Sequence, residues 1–297
     1  MPVDLRSPEL HVIFGSGALG TALAEELLAR GHRVRIVNRQ GRAAPLAGVE
    51  CVAGEGKDPQ SAREVCAGAA AVYSCAAPPY TDWPSSYPAL QNGILEGAAA
   101  AEARLVFAEN VYVYGRVDGP MTEDTPFNPI SKKGELRARL NEEALAAHRA
   151  GKVRVALGRA PDYYGPRAVV TTIYGEQVFF PALEGKPANI FGDPDALHTF
   201  IYVRDFARGL ATLGEREEAL GKTWHLPCPP ALRQRELLGL IYAAAQKPLA
   251  FRSMPTWMTP MLGWVLPIMR ELSEMQYQWT MNYDFRHDRF DAAFGGA

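Results

Sequence analysis

Apolar residues in this chain come in short runs, and between the runs they recur every three or four positions. The runs are residues 11–14, 34–37, 50–53, 70–75, 104–108 and 153–157. Each is bounded by glycine, proline or polar residues and is too short for a helix, which predicts six strands. Between the first two, Leu23, Leu27 and Leu28 mark one face of a helix over residues 21–30, closed by Gly31. Residues 61–67, 90–103 and about 130–150 read as further helices. Asn128 before Pro129 offers that last helix an N-cap with proline behind it, and Ser131 is the other candidate cap. Strands alternating with helices predict an α/β fold with a doubly wound parallel sheet.

The turn after the first run adds chemistry. Gly15, Gly17 and Gly20 stand as G-x-G-x-x-G between a strand and a helix. Gly15 permits the tight turn, Gly17 lets backbone approach a pyrophosphate, and Gly20 lets the helix pack closely. The helix N-terminus then offers unpaired N–H groups to the phosphates, with Ser16, Ala18 and Leu19 completing the loop. This makes residues 1–160 a Rossmann-type dinucleotide domain. After the second strand the chain reads Asn38-Arg39-Gln40-Gly41-Arg42. A site for NAD wants a carboxylate there for the ribose 2′-OH. Arginine suits a 2′-phosphate instead, so Asn38, Arg39 and Arg42 predict NADP. Ala76, Ala77 and Pro78 end the fourth strand at the ligand edge, where small residues leave room for the cofactor.

Composition narrows the class. The chain has 297 residues and a net charge of −2 with mixed signs, so no basic patch argues for nucleic acid. Cys51, Cys66, Cys75 and Cys228 make no C-x-x-C and no disulfide framework. The polar start is no signal peptide and no apolar run is long enough for a membrane span, so a cytoplasmic protein is expected. The six histidines show no metal-ligand spacing, and no metal is expected. Trp257, Met258, Met261, Trp264 and Met269 form a soft apolar segment, read as core packing or as a wall for an apolar substrate.

Later landmarks carry a family resemblance. Val113-Tyr114-Gly115, Thr122-Glu123-Asp124-Thr125-Pro126 with Asn128-Pro129, Tyr164-Gly165-Pro166, residues 198–205 (HTFIYVRD) and Asp291-Ala292-Ala293-Phe294-Gly295 follow in order. The chain resembles the extended short-chain dehydrogenase/reductases, which include NAD-dependent sugar epimerases and dehydratases. The resemblance implies that residues 199–228 return to the sheet. It also implies that residues 161–198 and 229–297 carry a small-molecule substrate, and that helices near 90–103 and 130–150 pair two copies into a homodimer. Pro161, after the sixth strand, joins the cofactor set.

The departures bear on chemistry. Family members use a Ser/Thr and a Tyr-x-x-x-Lys. Here Asn110 stands at the Ser/Thr position, and Lys133-Gly134-Glu135-Leu136-Arg137 at the Tyr-x-x-x-Lys position. Lys-x-x-x-Arg is similar to the isoflavone-reductase-like group of atypical members, NADPH-dependent reductases in which lysine replaces the tyrosine. Lys133 and Arg137 share one helix face. Lys133 is the candidate acid and cofactor ligand. Arg137 would hold ribose hydroxyls and Asn110 would orient a carbonyl. Tyr112 or Tyr114 could replace the missing phenol. The expectation is an NADP(H)-dependent reductase of a small, possibly apolar carbonyl or alcohol. A catalytically silent NADP-binding sensor and a nucleotide-sugar epimerase or dehydratase are the alternatives.

Overall fold

The computed structural model describes residues 8–42, 46–169, 172–258, 261 and 267–295. Its centre is a seven-stranded sheet. Five strands come from the first half of the chain: β1 (Leu10–Phe14), β2 (Arg33–Asn38), β3 (Val49–Ala53), β4 (Ala71–Ser74) and β5 (Arg104–Glu109). Next come β6 (Arg154–Arg159), β7 (Asp162–Tyr164), β8 (Ala188–Phe191), β9 (Leu197–His198), β10 (Phe200–Tyr202) and β11 (Thr223–His225). The sheet order is β11-β6-β5-β4-β1-β2-β3, and every pairing is parallel. The strand order reverses between β1 and β4, where doubly wound sheets take their ligands.

Both faces are covered, because strands apolar on both sides need a helix layer on each. Helices α1 (Ala18–Ala29) and α6 (Val203–Glu215) cover one face around Ile13, Leu23, Leu27 and Leu210. The other face is covered by α2 (Pro59–Cys66), α3 (Trp83–Ala100) and α4 (Lys132–Arg149), around Val12, Ile94, Leu105 and Ala144. Residues 199–228 return as β10, α6 and β11, and β11 extends the sheet beside β6.

Two helix starts differ from the sequence pattern. Helix α3 begins at Trp83 rather than near residue 90, and carries Pro88 inside it. Pro84 sits in the first turn, where the missing donor would be unpaired anyway, whereas Pro88 costs α3 one interior hydrogen bond that the packing of the helix outweighs. Helix α4 is capped by Ser131, whose hydroxyl accepts from the Gly134 amide at 3.0 Å. Asn128 stays in the preceding loop, its amide bonded to the Val113 carbonyl.

The C-terminal part adds α5 (Phe180–Glu184), β12 (Leu232–Arg233), α7 (Gln234–Ala244), β13 (Phe251–Met254), α8 (Pro267–Ser273) and α9 (Asp288–Phe294). It has its own core of Tyr174, Val178, Ile190, Phe200, Leu238 and Trp279. Among the described residues, no helix is long and apolar enough to cross a membrane.

Candidate dinucleotide and substrate site

The glycine loop is built for close approach. Gly15 has φ +107°, and a Cβ there would stand 2.9 Å from the Ala76 nitrogen. A Cβ on Gly20 would lie 2.0 Å from the Gly15 carbonyl oxygen. Gly17 differs: a Cβ there meets nothing within 4 Å, and no side chain caps α1. Its φ of −75° suits any residue, so neither backbone strain nor protein contact requires glycine at position 17. Gly17→Ala should leave the thermal midpoint unchanged and weaken dinucleotide binding at least ~10-fold, about 1.4 kcal/mol. Calorimetric titration with NADPH and NADH checks it; unchanged affinity would remove the phosphate from this loop.

The end of β2 is held by Asn38. Its Nδ2 donates to the Ser16 hydroxyl at 3.0 Å and to the Arg42 carbonyl at 2.6 Å. Its Oδ1 accepts from the Gln40 amide at 2.9 Å. Asn38 therefore braces the loop against the glycine turn. Arg39 and Arg42 are exposed and have no ion-pair partner among the described residues. Ala18 and Leu19 are buried in the first turn of α1, and Pro161 is buried just beyond β6. Ala76 and Pro78 are half-buried after β4, where the Pro78 carbonyl accepts from the Trp83 indole at 3.2 Å. Ala77 beside them is exposed.

Lys133 and Arg137 face the same region and are both buried. The Lys133 ammonium is paired with Glu271 and, at 3.2 Å, with Glu274, both from the α8 segment. It also lies 4.5 Å from the Tyr80 ring centroid. The Arg137 Nε donates to Glu109 at 3.1 Å, and the guanidinium lies 4.3 Å from the Tyr87 ring centroid. Its buried Nη1 has no hydrogen-bond partner among the described residues.

The tyrosines divide. The Tyr114 hydroxyl is locked 2.6 Å from His225 Nε2, while His225 Nδ1 donates to the Arg286 carbonyl at 2.8 Å. Burial, and then the nearby Arg159 cation, lower His225 to about 3, so the neutral ring accepts from the phenol. Tyr112 lies on the other side of the turn. Its hydroxyl accepts from Tyr80 at 3.5 Å, leaving its own proton for another partner. Burial raises both phenols, and for Tyr112 the neighbouring Tyr80 and Asp162 add to the shift. Asn110 folds back, its amide oxygen accepting from the Tyr112 N–H at 3.1 Å. Its carbonyl accepts from Arg159, which also donates to Asn141 at 2.7 Å.

Several neighbours carried no signal in the sequence. Tyr80 follows a proline pair that reads only as a turn. Asp162 influences Tyr80, Tyr112 and Tyr277 and is held 2.8 Å from His198 Nε2. His198 is stacked between Trp279, centroids 4.1 Å apart, and Tyr283, centroids 4.4 Å apart. Glu271 and Glu274 lie over 130 residues from Lys133 in sequence. Periodicity cannot join residues that far apart.

The family model for NAD dependent epimerase/dehydratase proteins matches residues 12–226, well over half of the chain. The chain belongs to the NAD-dependent epimerase/dehydratase family. A dTDP-glucose 4,6-dehydratase from Streptomyces griseus is 28% identical over 134 residues, 45% of this chain and 40% of that protein. A protein of Bacillus subtilis described as an uncharacterized UDP-glucose epimerase is 25% identical over 118 residues, 40% of this chain and 37% of that one. These matches span less than half the length of either relative. In fold, the chain is similar to a Streptomyces venezuelae dTDP-glucose 4,6-dehydratase solved with NAD. The TM-score is 0.78 and the identity 19%, with 97% of this chain and 91% of that one covered. A Thermus thermophilus UDP-glucose 4-epimerase in complex with NAD has a TM-score of 0.70 and 21% identity, covering 83% of this chain and 86% of that one.

The C-terminal segment is more polar than its tryptophans and methionines imply. Trp257 and Met261 are each 64% exposed, so they are not core, and Trp264 lies outside the described residues. Met258 and Met269 are half-buried. A hollow at Glu274 is lined mostly by polar side chains, among them Arg116, Thr256, Ser273 and Gln276, with Ile130 as its aliphatic wall. That lining of hydrogen-bonding groups suits hydroxylated ligands better than apolar ones.

Proposed function

We propose that the protein is an NADP(H)-dependent enzyme acting on a nucleoside diphosphate sugar, working in the direction that reduces a ketone on the sugar. The observation that carries this reading is the Tyr80–Tyr112 pair beside Lys133. Phenols raised by burial keep their protons, which suits donation to a developing alkoxide and not proton abstraction. Family membership and the polar hollow beside Glu274 support a sugar nucleotide over a small apolar carbonyl. In this reading Lys133 and Arg137 occupy the places of the family's tyrosine and lysine, and Tyr112 supplies the phenol from the neighbouring turn.

The residues at the sheet edge fit a dinucleotide. Gly15 and Gly20 close the loop and Gly17 leaves a space that protein does not fill. NADPH, when bound, supplies the hydride. Exposed Arg39 and Arg42 would hold the 2′-phosphate, while Arg137, enclosed beside Glu109, would stiffen the start of α4 beneath the cofactor. Lys133 would orient the phenols through its contact with Tyr80. Two-fold pairing through α3 and α4 is part of the same proposal.

The test follows NADPH and NADH consumption with keto sugar nucleotides and, in parallel, small apolar ketones. Consumption of NADPH with the sugar nucleotides alone is expected. Arg39→Ala should lower NADPH affinity by about 10- to 150-fold, since a charge-assisted hydrogen bond contributes roughly 1.5–3 kcal/mol, and leave NADH unaffected. Turnover confined to the apolar ketones would overturn the substrate assignment. A second reading, a dinucleotide binder without turnover, draws support from the ion pairs on Lys133 and Arg137. Tight NADPH binding with no consumption on either series would favour it.

A further inference from the structure

We propose that Glu9, His11 and His32 bind one divalent metal ion of borderline softness, with Zn²⁺ as the reference ion, at the edge of the sheet opposite the glycine loop. Glu9 immediately precedes β1, His11 lies in β1, and His32 stands between α1 and β2. All three are at the N-terminal ends of the strands, whereas Gly15 and Ala76 follow the C-terminal ends. The location is therefore separate from the dinucleotide site.

One ligand atom from each residue lies within 4.8 Å of the others. His11 Nε2 is 3.8 Å from a Glu9 carboxylate oxygen. The two rings have centroids 4.1 Å apart. Among the described residues, two buried nitrogens here have no hydrogen-bond partner, His11 Nε2 and His32 Nδ1, and the His11 side chain is fully buried. Leaving a buried polar atom unpaired costs energy, and native structures seldom tolerate it without a reason. A metal ion accepting both lone pairs would be such a reason.

The other nitrogen of each ring is already held. His11 Nδ1 is 2.9 Å from the Tyr73 hydroxyl, and His32 Nε2 is 3.0 Å from Glu215. Metal-binding imidazoles are usually oriented in this way, the far N–H donating to a carboxylate or another oxygen. When those far nitrogens carry the protons, Nε2 of His11 and Nδ1 of His32 are left as lone pairs.

The surrounding charges permit a cation. Arg104 is 2.7 Å from Glu9, and Arg30 is 2.8 Å from both Glu215 and Glu26. Three carboxylates thus face two guanidinium groups. Two imidazoles with one carboxylate suit Zn²⁺ and its neighbours in the first transition row better than Mg²⁺ or Ca²⁺, which favour all-oxygen shells. The ion would tie the start of β1 to the turn that begins β2.

The experiment uses the full chain stripped with EDTA, then titrated with ZnCl₂ by calorimetry and with CoCl₂ by visible absorption. One ion per chain, a Co²⁺ ligand-field band and a Zn²⁺-dependent rise in melting temperature that EDTA reverses are expected. His32→Gln and Glu9→Gln should each weaken binding by more than the ~10–100-fold that losing an outer-shell partner costs, and Tyr73→Phe should fall within that range. NADPH affinity should stay unchanged in all three. Each variant is compared with its own metal-free melting curve, and Glu9, partly exposed, covers the case in which His32→Gln misfolds. Absence of binding to the wild type with Zn²⁺ in large excess would overturn the proposal. So would wild-type affinity in a folded Glu9→Gln or His32→Gln.

Discussion

Glu109→Gln should lower the free energy of unfolding by about 3–5 kcal/mol, because it leaves the Arg137 charge buried without its counterion. Glu109 is the last residue of β5 and its side chain is fully buried; Arg137 opposite is 2% exposed. The guanidinium is otherwise enclosed by the Tyr87 and Trp83 rings, at 4.3 and 6.0 Å, which cannot neutralise it. Urea unfolding followed by circular dichroism measures the loss. Replacing both partners, Glu109→Leu with Arg137→Met, should recover most of it, since no charge then remains to be desolvated. The exposed Lys152–Glu96 pair is the internal control: Lys152→Ala should cost no more than about 1 kcal/mol. A Glu109→Gln loss as small as that of Lys152→Ala would mean that water or a cofactor, and not the carboxylate, balances Arg137.

Tyr112→Phe should reduce turnover by roughly 10²–10⁴-fold with dinucleotide affinity nearly unchanged, the range that a positioned proton donor supplies. The Tyr112 hydroxyl lies 3.5 Å from that of Tyr80, and its proton is the one assigned to the substrate. Tyr80→Phe should therefore do less harm, removing a polariser and not the donor. Lys133→Met should lower turnover too, because its ammonium lies against the Tyr80 ring. Tyr114→Phe should leave turnover near wild type, since its hydroxyl already bonds His225. The measurement is NADPH consumption on whichever sugar nucleotide the wild type accepts, with stopped-flow single turnover separating chemistry from release. If Tyr112→Phe matches wild type while Lys133→Met is inactive, the proton comes from the lysine and the phenol pair is packing.

Much of the dinucleotide half was legible before any coordinates. Strand positions, the glycine loop and the helices that follow are local patterns, and period 2, period 3.6 and a turn glycine each act within a few residues. Gly15 and Gly20 were readable in role as well as place, because the tight turn and the close helix packing leave no room for a Cβ. Where the local pattern was ambiguous, the reading slipped. Prolines at 84 and 88 hid the start of α3, and Ser131 took the cap that Asn128 also offered.

Which side chains meet was another matter. By itself the sequence determined the α/β class, the glycine loop and the absence of a carboxylate after β2, all set by residues adjacent in the chain. Only the tertiary structure decided that Lys133 meets Glu271 and Glu274, that Arg137 meets Glu109, and that Tyr112 and Tyr114 part company. It alone brought Asp162 to His198, and His11 to His32. These pairings are made across the sheet edge by elements tens to over a hundred residues apart. Burial then selects the partner, because a charged or polar group removed from water must find one.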